Sequence, residues 1–140
     1  MRCSVVTDLS SGDTVIIDGG SESSRIISWI NEFNGSGPDW SNGPKNFEEM
    51  KQRGITVRRV IALVNTHAHF DHSGEIPLLL DEYDVSWYLH EDDFFLQSLA
   101  QKSAMRWGFN LPEPAVADKL LHDEMDLELG TLSFKILHTP

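Results

Sequence analysis

Two apolar arms open the chain. Cys3, Val5 and Val6 precede the polar cluster Ser10-Ser11-Gly12-Asp13, and Thr14-Val15-Ile16-Ile17 follow it before Asp18-Gly19-Gly20. Apolar arms rich in β-branched residues on either side of a turn cluster predict a hairpin. From Ser21, a residue type that caps helices, Ile26, Ile27, Ile30 and Phe33 recur at helical spacing, which predicts an amphipathic helix over 21–33 packed on the strands. Residues 34–44 hold three glycines, two prolines and Trp40 and have no period, so they read as a loop, either a surface insertion whose Trp40 covers core or a flap beside an active site with Trp40 as an apolar contact for ligand. A short helix over 47–53 is expected to end at Gly54. The continuous apolar run Val60-Ile61-Ala62-Leu63-Val64 has strand length and suits a strand buried on both faces.

A polar run, Asn65-Thr66-His67-Ala68-His69-Phe70-Asp71-His72-Ser73-Gly74, follows directly. Beyond it, Ile76, Leu78, Leu79 and Leu80 predict a helix over 75–83, and Val85-Ser86-Trp87-Tyr88-Leu89 a strand. The polar run therefore sits at the first junction of a strand, helix, strand unit. A second helix is predicted over 91–107, with Glu91, Asp92 and Asp93 complementing its N-terminal dipole and Leu96, Leu99, Ala100 and Trp107 as its buried stripe. Leu111-Pro112-Glu113-Pro114 reads as a connector, since each proline opposes helix in the residue before it. A hairpin should close the chain, with arms 125–129 and 132–137 about Gly130-Thr131.

With 140 residues, of which 40% are hydrophobic, the chain fits one domain with a real core. Its formal charge of −11 repels polyanions and disfavours nucleic acid as a partner. No apolar run approaches the ~18 residues that a membrane span needs, and the start has no secretory h-region. Cys3 is the single cysteine, so an internal disulfide is excluded; it reads as a small buried hydrophobe, and a reducing cytoplasm is the simplest setting. Oligomeric state is not legible.

The chemistry is concentrated in His67, His69, Asp71 and His72, which fall within six residues. Residues two apart in extended backbone project to the same side, so His67 and His69 can face one cation. Where the chain bends into the next helix, Asp71 and His72 become adjacent donors that can face a second. Neutral imidazole with carboxylate favours zinc, while iron and manganese accept the same set. A solvated turn would instead crowd three histidines that repel when protonated, without evident compensation.

The stretch from Thr66 to Gly74 resembles the signature of the metallo-β-lactamase superfamily. Ile16-Ile17-Asp18-Gly19-Gly20 is similar to the family's strand ending in aspartate and glycines, although Gly19 stands where proline is frequent. Tyr88-Leu89-His90-Glu91-Asp92-Asp93, and Leu129-Gly130 through His138-Thr139-Pro140, resemble the glyoxalase II-like branch, in which a His-Thr-Pro-Gly-His segment follows the hairpin. The resemblance implies an α+β fold, the αββα sandwich, of which residues 1–140 form the N-terminal half as one partial domain. It also implies that His67 and His69 bind one metal and Asp71 and His72 the other. Asp71 would in addition orient the attacking hydroxide, and Asp18 would hold the metal loop from behind. His138 would be the first, non-ligating histidine of its segment. His90 and His122 are expected at the surface or as caps.

The function implied is that of a dinuclear zinc hydrolase of thioesters, such as an acylglutathione, or of related small esters. A mononuclear iron enzyme like the persulfide dioxygenases, and a non-catalytic metal-binding remnant, are the alternatives. The pattern stops at Pro140, ahead of the family's remaining ligands, so the short chain is expected to bind metal weakly.

Overall fold

The computed structural model describes residues 2–34, 52, 54 and 57–139. The loop expected after Asn34, with Trp40, and the short helix expected before Gly54, residue 52 excepted, fall outside the described residues. Strands β1 (Ser4–Thr7) and β2 (Asp13–Ile17) form the opening hairpin, followed by α1 (Ser23–Phe33) and β3 (Arg59–Val64). Then come α2 (Phe70–Ser73), α3 (Ile76–Tyr83), β4 (Ser86–His90), a 3₁₀ turn (Glu91–Asp93), α4 (Phe94–Gln97) and α5 (Ala100–Arg106). Strands β5 (Lys119–Leu121), β6 (Asp126–Leu129) and β7 (Leu132–Lys135) complete the described elements.

The main sheet has the order β1-β2-β3-β4-β5, and β6 and β7 form a separate hairpin. β1 runs antiparallel to β2, whereas β2, β3, β4 and β5 are mutually parallel. Parallel neighbours need crossovers, and among the described residues α2 with α3, and α4 with α5, lie on two of them. Successive strand residues alternate between two cores. Ile16, Leu63, Trp87 and Leu89 face Ile30 of α1 and Ile76 and Leu79 of α3. Val15 and Ala62 face Leu121, Leu127 and Leu129 on the other side. β3 is thus buried on both faces, as its unbroken apolar run predicts.

Asp13 fastens the second hairpin to the sheet. Its carboxylate pairs with Arg59 and accepts the Thr131 N–H at 2.9 Å. The turn needs Gly130: its φ is +57°, and a Cβ there would lie 2.2 Å from Asp13 Oδ2.

Three expectations are corrected. Ser21 is not the cap of α1. The helix starts at Ser23 after Glu22, and the Ser23 N–H and hydroxyl donate at 2.7 and 2.8 Å to Glu75, a carboxylate from the start of α3. The single helix over 91–107 is broken into a 3₁₀ turn, α4 and α5. Buried Gln97 donates to Phe94 O and Ser98 Oγ donates to Phe95 O, so side chains compete for carbonyls that the next turn would use. Its stripe also differs: Gln97, Ala100 and Ala104 are buried, while Leu99 is exposed and Trp107 is 74% exposed. β5 is an addition, three residues long with only Leu121 inward, too short to show a period. Among the described residues no helix is long and apolar enough to cross a membrane.

Candidate metal centre

The loop between β3 and α2 leaves the carboxyl end of a central parallel strand, where open α/β sheets carry their ligand crevices. Buried Asn65 holds both of its ends: Nδ2 donates to His72 O at 2.7 Å and to His67 O at 3.3 Å, and Oδ1 accepts from Trp87 Nε1 at 3.0 Å. His69 stands at the N-cap of α2 in extended conformation, and its carbonyl accepts the His72 and Ser73 N–H groups, both at 2.9 Å. Asp71 and His72 therefore fall in the helix's single turn. On the far side the Gly20 backbone presses so close that a Cβ would lie 2.0 Å from His72 O. That glycine is required by contact.

These constraints bring the four residues together. The His67 ring lies 4.8 Å from that of His69, nearly perpendicular to it, and 4.0 Å from that of His72. His72 Nε2 is 3.6 Å from Asp71 Oδ2. His67 is thus nearer to His72 than to its expected partner His69.

Asp18 lies behind the loop, buried, with a left-handed φ of 55°. It accepts the Thr66 N–H at 2.8 Å and the Thr66 hydroxyl at 2.7 Å. Since that hydroxyl has given its only hydrogen to a carboxylate, it must accept in its 3.0 Å contact with His67 Nδ1. The proton on His67 therefore sits on Nδ1, and Nε2 keeps its lone pair for a cation. His72 shows the same logic less tightly. Its buried Nδ1 is 3.2 Å from Asp18 Oδ2, out of line for a hydrogen bond, and has no other partner among the described residues. A proton there leaves Nε2 and the Asp71 carboxylate as two acceptors side by side. Burial, followed by the neighbouring His72 and His69, pushes the His67 pKa below its ordinary value, which keeps its imidazole in the neutral, ligating form.

This donor set fits divalent first-row ions: lone pairs of neutral imidazoles and a carboxylate, with the His67 tautomer fixed from behind. The tightest grouping lies elsewhere. Among the described residues, the set of three donors whose ligand atoms all fall within 4.8 Å of one another is His90, Asp92 and His138.

Of the two roles expected for His90 it takes the cap and not the surface: it is buried, and Nδ1 accepts the Asp92 N–H at 3.3 Å. His138 stacks on it, with ring centroids 4.2 Å apart. His122 is exposed and pairs with Glu91 at 2.8 Å. Sequence reasoning passed over Asn65 and Thr66, whose placement directly before the histidines was the available signal. A cleft of about 740 Å³ joins the two groups, lined by His67 and His69, by His90, Asp92 and His138, and by an apolar wall including Leu121, Leu127 and Phe134.

Comparison with known proteins gives the family. The metallo-β-lactamase superfamily model matches residues 2–140. An uncharacterised protein of Aquifex aeolicus is 28% identical over all of this chain and 54% of its own length. The probable metallo-hydrolase YqgX of Bacillus subtilis is 29% identical over 70% of this chain and 46% of its own. Among solved structures, the B3 metallo-β-lactamase BLEG-1 superposes with a TM-score of 0.69 at 26% identity, over 99% of this chain and 56% of that one. TTHA1623, in a di-iron-bound form, gives 0.67 at 27%, over 99% and 55%. The chain spans about half the length of the relatives it matches. With its helix-flanked sheet and its histidine-rich loop at a strand end, this chain belongs to the metallo-β-lactamase superfamily.

Proposed function

We propose that this chain supplies the histidine-rich half of a two-metal hydrolase site that cleaves a thioester, such as an acylglutathione, or a related small ester. One observation carries the reading: Asp18, through Thr66, fixes the His67 tautomer and lies against His72 as well, so one buried carboxylate prepares two imidazoles as ligands. His67 and His69 hold one ion, and Asp71 and His72 the other. Bound ions at such a site supply a lowered water pKa near neutrality and polarisation of the substrate carbonyl.

The chain's own residues do the rest. Half-exposed Asp71 accepts a hydrogen bond from the attacking water and orients it. The apolar wall of the cleft, with Leu121, Leu127 and Phe134, takes up the acyl group and excludes bulk water. Asn65 keeps the loop's carbonyls engaged, so the histidines do not rearrange as charge develops.

The glyoxalase II-like flanks around His90 and His138 favour a thioester. The probable metallo-hydrolase among the relatives is compatible with hydrolysis. Zinc is the preferred metal on donor chemistry, and the di-iron form of a similar structure keeps iron as the second reading. The test uses protein from the full reading frame, with metal content and acylglutathione hydrolysis measured on one preparation. Two zinc ions with thioester cleavage support the proposal. A single iron, with sulfur oxygenation and no thioester cleavage, transfers the assignment to the dioxygenase-like reading.

A further inference from the structure

We infer that His90, Asp92 and His138 form a further divalent-cation site, separate from the cluster at His67 to His72. His90 ends β4, Asp92 lies in the 3₁₀ turn after it, and His138 follows β7. The backbone brings them together across 48 residues: β4 pairs with β5, and Asp123, shortly beyond β5, accepts the His138 N–H at 2.8 Å. The fold thus fixes the meeting of these side chains.

Asp92 Oδ2 stands 3.6 Å from His138 Nε2 and 3.9 Å from His90 Nδ1. Both gaps are too long for hydrogen bonds and a little longer than a shared ion requires. Zinc bonds of about 2.0–2.1 Å at tetrahedral angles put neighbouring donors about 3.3–3.5 Å apart, so each gap closes by only a few tenths of an ångström. His90 is ready to give up a nitrogen. Its Nδ1 takes one long hydrogen bond, and its buried Nε2 finds no partner among the described residues. A buried polar atom is unfavourable to leave unpaired, so the ring has little competing bonding to lose when a cation arrives.

One rearrangement is required. The two imidazoles stack at 19°, whereas an ion must lie in the plane of each ring that binds it. His138 makes the turn, because its side chain is one third exposed while that of His90 is held inside. Two neutral imidazoles and one carboxylate leave a divalent ion with one net positive charge, which nearby Asp93 and Glu91 favour. The donors suit zinc or another late first-row ion, with water at the fourth position. Bound there, the ion ties the end of β4 to the segment after β7 and stiffens one wall of the cleft.

The experiment strips the full-reading-frame protein with chelator and titrates it with zinc, and with cobalt as a spectroscopic probe. It compares the His67→Ala/His69→Ala background with and without Asp92→Asn or His138→Ala, both at exposed side chains that leave the fold intact. In the background alone, about one equivalent should bind with a tetrahedral cobalt spectrum. Either added substitution should weaken it at least tenfold. A folded background that binds no ion outside Asp71 and His72, or binding that survives both added substitutions, overturns the inference. Should the background fail to fold by circular dichroism, wild type and His138→Ala are compared directly, and the variant must bind one ion fewer. Loss of the first cluster leaves this readout standing, so the two sites fail separately.

Discussion

Asp18 accepts both hydrogens that Thr66 offers, the backbone N–H at 2.8 Å and the hydroxyl at 2.7 Å. The bond to the hydroxyl decides which nitrogen of His67 faces the cleft. Asp18→Asn replaces an acceptor of two bonds by an amide whose nitrogen cannot accept, and removes the charge beside His72. Zinc affinity should fall about 10–100-fold while the chain stays folded. Zinc titration with circular dichroism checks this; unchanged affinity in a folded variant contradicts it.

Thr66→Val keeps the shape and deletes the relay, leaving His67 Nδ1 without its acceptor. We expect zinc binding weakened on the order of tenfold, with Thr66→Ser restoring it, since serine keeps the hydroxyl. Equal loss in both variants would point to packing instead.

Gln97 should matter more than its place on a helix suggests. Its Oε1 accepts the buried Ala117 N–H at 2.7 Å, and Nε2 donates to Phe94 O at 2.8 Å. Gln97→Leu strands that N–H and should cost about 1–3 kcal/mol. Urea denaturation gives the number, and a change under about 0.5 kcal/mol would refute the bridge.

Acid should loosen the β6–β7 hairpin. The Arg59 guanidinium, and after it the Thr131 N–H, hold the Asp13 carboxyl below the usual carboxylate range. A depressed folded pKa means that the stabilisation is fully present above the ordinary carboxyl pKa and is lost as pH falls through the lowered one. Hydrogen exchange at Thr131 should accelerate in that window, and Asp13→Asn should accelerate it at neutral pH. An exchange rate that follows only the intrinsic pH dependence would contradict the anchor.

Much of this was legible because it is local. The unbroken apolar run of β3 needed a two-faced sheet, and His67, His69, Asp71 and His72 announce themselves by spacing alone. What escaped depends on partners far along the chain. Ser23 is capped by Glu75, 52 residues away, so no local pattern marks the start of α1. At the break between α4 and α5, Gln97 both takes the Phe94 carbonyl and accepts the Ala117 N–H from 20 residues away, a partner no local pattern announces. His90 is buried and stacks on His138, 48 residues on, and a histidine at a strand end carries no sign of that in its neighbours. Thr66 stands in the signature stretch without a role of its own in the sequence, because its role is to pass a proton preference between Asp18 and His67.

The central claim is that His67, His69, Asp71 and His72 hold two ions at the carboxyl end of β3. The most direct measurement is an anomalous difference map from crystals of the zinc-loaded, full-reading-frame protein, collected on both sides of the zinc edge. The account predicts one peak bonded to His67 Nε2 and a His69 nitrogen, and a second bonded to Asp71 and His72 Nε2, with His67 Nδ1 still directed at Thr66. No peak within bonding distance of these residues, or His67 and His69 rings turned to opposite sides of the loop, would contradict it.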